Sequence, residues 1–137
     1  WKRLGAALLD RVDIRVPVHP VALEVLTGPP GISSEQMAER IETAVVRQRS
    51  RFREYGFSRN GGIPPGEVGK VCALSGKPER LLRTQIVQQG FSSRAVHSIL
   101  RLARTLADLD DTDVISENHV AGAVTFRKYG VEDTCWK

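Results

Sequence analysis

Arginine carries most of the chemical potential in this sequence, because its guanidinium stays charged at any ordinary pH and offers a planar fork to oxyanions. Arg94 follows Ser92 and Ser93, either of which can cap a helix. It therefore falls in a first helical turn, where the macrodipole is positive and amide groups point outward, and adds a fixed cation to an anion-friendly end. Arg47, Arg49, Arg51 and Arg53 alternate along another helical stretch. They fall as two stripes, 47 with 51 and 49 with 53, and a DNA-backbone role for them ranks below a structural or solvated one. Arg101 and Arg104 share the polar side of their helix with Arg94 and read as a solvated face. His97 reads as structural, with a phosphate contact or a pairing with Asp108 as its alternatives.

Other chemistry is missing. A phosphate-binding loop requires GxxxxGK[ST], but Gly69-Lys70 has Pro64 where the first glycine belongs and Gly76-Lys77 runs into Pro78. No apolar run ends in paired acids to hold magnesium. The chain is therefore expected neither to bind nor to hydrolyse ATP by itself. Asp108, Asp110, Asp111 and Asp113 lack the glycine and terminal glutamate of a calcium loop and read as a solvated connection. Cys72 and Cys135 have no CxxC partner, so both read as reduced thiols and no metal site is expected.

The positioning elements follow from punctuation and period. Ile14 to Val18 alternates and is β-branched, which predicts one short strand with Pro17 near an edge. Its pairing partners must lie in other chain, or the segment stays extended against the helices. Thr27 to Ile32 is a linker by composition. Ser33 and Gln36 form a capping box that starts a helix running to about Arg53, with Met37, Ile41, Ala44, Val45 and Phe52 as its apolar stripe. Residues 56–66, rich in glycine and proline, predict a mobile loop. A short helix over Glu67 to Leu74 and another from Pro78 to Gln89 come next, the second ending at Gly90. Ser92 or Ser93 opens the clearest amphipathic helix, with Val96, Ile99, Ala103 and Leu106 on its apolar side, and Ser116 caps the last, which carries Val120, Ala123, Val124 and Arg127. The expected architecture is mainly α: four to five helices behind one strand.

Composition sets the outer limits. With 137 residues, 41% of them apolar, one cored domain is expected. The net charge of +4 barely favours nucleic acid, and the first 60 residues hold most of the surplus. No 18-residue apolar run or signal peptide occurs, so a cytoplasmic protein without membrane partners is expected. Trp1-Lys2-Arg3-Leu4 reads as a piece of something longer.

Three ordered stretches carry a resemblance. Leu8 to Ile14 (LLDRVDI) resembles the LLDR(I/F)D motif of magnesium-chelatase-like AAA+ ATPases, Phe91 to Leu109 (FSSRAVHSILRLARTLADL) resembles the long signature helix of their ComM (YifB) family, and Ile115 to Ala123 resembles its terminal helix. The match runs from Leu4 to about Arg127, leaving Tyr129 to Lys137 unmatched. It implies that residues 1–26 end an AAA+ core, with Ile14 to Val18 its last strand, that 27–33 link, and that 34–128 form the helical lid.

The resemblance also implies roles. Arg11 would be the arginine finger, reaching ATP bound by a neighbouring subunit, and Arg94 the sensor-2 arginine, acting in cis or in trans. A guanidinium suits the charge spread over a transferring phosphoryl group, and supplying it in trans makes hydrolysis depend on assembly. The intact protein would then use ATP and magnesium, form a homo-oligomeric ring, by expectation a hexamer, and act on DNA as a branch-migration helicase. The alternatives are the lid of a magnesium-chelatase motor subunit and a helical DNA-binding or adaptor module.

Overall fold

The computed structural model describes residues 6–18, 20, 27–29 and 31–128, and the tail beyond Lys128, including Cys135, lies outside them. Among the fully described elements, five helices follow a single helical turn at Ala6–Leu9: α1 (Ser34–Arg51), α2 (Pro65–Val71), α3 (Lys77–Gln89), α4 (Ser93–Leu109) and α5 (Glu117–Lys128). The mainly helical expectation holds.

Local chemistry sets most boundaries. The Ser33 hydroxyl accepts from the Gln36 N–H at 3.3 Å while the Gln36 side chain accepts from the Ser33 N–H at 3.0 Å, so the capping box starts α1. Glu35 lies in that first turn, and its own backbone N–H, then the Ser33 hydroxyl, hold its carboxyl below the ordinary range. Pro65 and Pro78 occupy first turns, where a missing N–H costs nothing. Gly90 ends α3 at φ 62°, ψ 36°, a left-handed conformation with no Cβ penalty for glycine. Ser92 caps α4, accepting from the Ala95 N–H at 3.1 Å.

The core gathers around α4. Its Ile99, Ala103 and Ala107 are fully buried against Val120, Ala123 and Val124 of α5, Val68 of α2, and Phe52, Ile63 and Cys72. Small residues bring α4 and α5 close. A methyl added at Gly122 would stand 3.2 Å from Leu106 Cδ1. Residues 56–66, expected as a mobile loop, are anchored by buried Asn60 and Ile63 around a 3-10 turn at Asn60–Gly62.

Polarity misplaced several side chains. Asp108 is fully buried, not part of a solvated connection: it accepts from Arg51 at 2.5 and 2.9 Å and from Asn60 at 2.8 Å, with Arg104 at 3.2 Å. A buried carboxylate persists only with such partners. Arg104 is likewise buried and donates to the backbone carbonyls of Asp113 and Thr112, while Arg101 donates to that of Ile63 at 2.6 Å. The solvated-face reading of these two arginines is therefore corrected. His97 does not pair with Asp108, whose acceptors are taken by arginines and Asn60. The division of the α1 arginines into two stripes holds. Arg47 and Arg51 turn toward the acids that end α4, with Arg47 bonded to Asp111 and Asp113, while Arg49 and Arg53 are exposed.

The predicted strand is also revised. Ile14 to Val18 forms no strand and no bridge among the described residues. It lies against α5, with the Arg15 N–H donating to the Phe126 carbonyl at 3.0 Å. The alternation survives with its sense reversed: Ile14, Val16 and Val18 face out and Arg15 is buried, because its guanidinium finds backbone carbonyls inside.

Candidate functional site

The segment around Arg11 is fastened to two helix ends. Ser92, the cap of α4, donates its hydroxyl proton to the Asp10 carboxylate, with oxygens at 3.0 and 3.2 Å. Farther along the same helix, buried Ser98 donates to Asp13. From the last turn of α5, Arg127 reaches back to the Asp10 carbonyl at 3.2 Å, the Asp10 carboxylate at 3.1 Å and the Val12 carbonyl. Arg15 ties the carbonyl of Leu9 (2.6 Å) to that of Arg127 (3.2 Å).

Arg11 stands between these fastenings. Its N–H closes a turn onto the Leu8 carbonyl at 3.0 Å, and its side chain is exposed with no ion pair among the described residues. Arg94, in the first turn of α4, is exposed as well. The Ser92–Asp10 bond thus joins the two segments that carry them, one residue from Arg11 and two from Arg94.

Four arginines, exposed Arg11 and Arg94 and buried Arg15 and Arg127, gather around Asp10 and Asp13. Burial, followed by the charge of Arg15, lowers the affinity of the Arg127 guanidinium for its proton. Asp10 and Asp13 oppose that shift and Arg94 adds to it. Of these cations only Arg11 and Arg94 face solvent, where the N-terminus of α4 adds a positive dipole end of its own.

Composition and period alone did not single out Arg127, Ser98, Asp10 and Asp13. The signals were present: Arg127 continues the buried stripe of Val120, Ala123 and Val124, and a charge on an apolar stripe needs internal partners. No group of side chains suited to a metal ion occurs among the described residues.

Fold and sequence together define the class. The family model described as "Magnesium chelatase, subunit ChlI C-terminal" matches residues 31–127, and the chain belongs to that family. It is 33% identical over 130 residues to the Escherichia coli protein YifB and 33% identical over 127 residues to the competence protein ComM of Haemophilus influenzae. A Mycobacterium tuberculosis protein, Rv2897c, is 31% identical over 128 residues. These matches cover 91 to 93% of the chain but only 24 to 25% of each relative, so the chain spans about a quarter of their length. No helix among the described residues is long and apolar enough to cross a membrane.

Proposed function

We propose that this chain is the lid and sensor region of a ring-forming AAA+ ATPase of ComM type that acts on DNA. In this reading Arg11 is the finger that reaches ATP on a neighbouring subunit, and Arg94 is the sensor. The observation that carries it is the fastening of the LLDRVD stretch to the cap of α4, which gives two exposed arginines a common base. An exposed, permanently charged guanidinium on a fixed base can meet the charge of a transferring phosphoryl group without reorganising. The phosphate loop and magnesium ligands belong to other parts of the intact protein, and ATP with magnesium is its cofactor pair.

A second reading, a motor subunit of a metal-inserting chelatase, is favoured by the description of the matching family. It keeps both arginine roles and changes the partner.

The test is ATPase activity of the full-length protein, with and without DNA, for wild type, Arg11→Ala and Arg94→Ala. The finger reading expects Arg11→Ala to lower kcat by about 10³-fold or more. Wild-type turnover in both variants would sink both assignments. An ATPase indifferent to DNA would turn the choice toward the chelatase reading.

A further inference from the structure

The hydrogen bonds around Arg11 are selective. Leu9 and Val12 are held by their carbonyls, Asp10 by both its carbonyl and its carboxylate, Asp13 by its carboxylate, and Arg15 by its N–H and guanidinium. All of these bonds end on α4, on α5 or within the segment itself. The Arg11 side chain is left out of them. Two of the holding groups are buried, Ser98 at 4% exposure and Arg127 at 3%, so their bonds are shielded from competing water.

Resting on the finger reading of Arg11, we infer that Ser92, Ser98 and Arg127, with Asp10 and Asp13 as their acceptors, form a positioning latch. The latch fixes the Arg11 backbone to the helix that carries Arg94, so that both arginines are presented as one rigid pair. None of the latch residues touches nucleotide. They act through Arg11, and the helical domain moves with its finger.

The latch makes a distinctive kinetic prediction. A misplacement of about 1 Å in a group that stabilises a transition state costs up to about 10²-fold in rate. Ser98→Ala and Asp13→Ala both break the Ser98–Asp13 bond, and Asp13→Ala also removes the carboxylate 3.9 Å from the Arg127 guanidinium. In the full-length ATPase each is expected to lower kcat about 10- to 100-fold while KM for ATP stays within about twofold. The double variant should be no worse than Asp13→Ala alone. In an Arg11→Ala background, Ser98→Ala should change kcat less than twofold, because the group it positions has gone.

A purely structural role would instead lower activity by the same factor with or without Arg11, and that result overturns the latch. Wild-type kcat in both single variants overturns it too. If Ser98→Ala fails to assemble, the exposed Asp13→Ala decides by the same comparison. A slow Arg11→Ala enzyme with no such dependence would refute the latch alone. A wild-type Arg11→Ala enzyme would refute the finger reading, and the latch with it.

Discussion

Replacing Asp108 by alanine tests the buried polar centre of the domain. The carboxylate accepts two hydrogen bonds from Arg51 and one from Asn60, and it lies 3.2 Å from the Arg104 guanidinium. Removing one member of a buried ion pair typically costs about 3–5 kcal/mol, most of it from the charge left behind. Partial compensation is available here. Arg104 keeps its two carbonyl acceptors, Asn60 keeps Thr105 at 3.0 Å, and the Arg51 side chain, 21% exposed, can turn to water. About 3–4 kcal/mol is therefore expected for Asp108→Ala, a large share of the stability of an ordinary domain. For a chain of this size that lowers Tm by about 10–15 °C. Urea unfolding followed by circular dichroism measures it, with Arg49→Ala, at an exposed position of α1, as a control expected within about 0.5 kcal/mol. Adding Arg51→Met to Asp108→Ala should recover part of the loss, since one stranded cation is removed with its partner. A loss below about 1 kcal/mol for Asp108→Ala would refute the claim that this carboxylate holds the helices together.

Burial pushes the Cys72 thiol up to about 11 from an ordinary 9.0. The unfolded chain releases this proton first, so stability should fall as pH rises from about 9 to about 11, by at most about 3 kcal/mol, and Cys72→Ala should flatten that part of the urea midpoint profile. Below pH 8 the native thiol should resist iodoacetamide until denaturant is added. Gly90→Ala, at φ 62° with open space around it, should cost about 1 kcal/mol through backbone strain alone, and Gly90→Asn less; equal stability of all three would contradict the left-handed cap.

Much of the fold was legible because its signals are local. The Ser33–Gln36 box, the Ser92 cap and the Gly90 stop each depend on residues within four positions, and all three lie where sequence places them. Asp108 was misread for the opposite reason. Its partners Arg51 and Asn60 are 57 and 48 residues away, and a periodicity window sees only a polar side chain on a polar side. Arg15 shows the same limit, since an arginine within an alternating apolar run gives no sign that carbonyls 6 and 112 positions distant will receive it. At the candidate site, motif resemblance pointed to Arg11 and Arg94, but the groups that hold Arg11 come from three separated segments and needed the fold to meet.

The first helix behaves as two bodies joined end to end. From Ala44 onward it packs against α4, whereas residues 31–42 are exposed, although Met37 and Ile41 continue the stripe that Ala44, Gln48 and Phe52 bury. Among the described residues the outer turns are held by their capping box, by the exposed Arg40–Asp110 pair and by continuity with the anchored half. In amide hydrogen exchange this separates two protection regimes within one unbroken helix: N–H groups before about Thr43 exchange through local fraying, and those after it wait for opening of the domain. The outer half is in that sense a spar, rigid in direction because its root is fixed and labile in hydrogen bonding because among the described residues no apolar partner covers it.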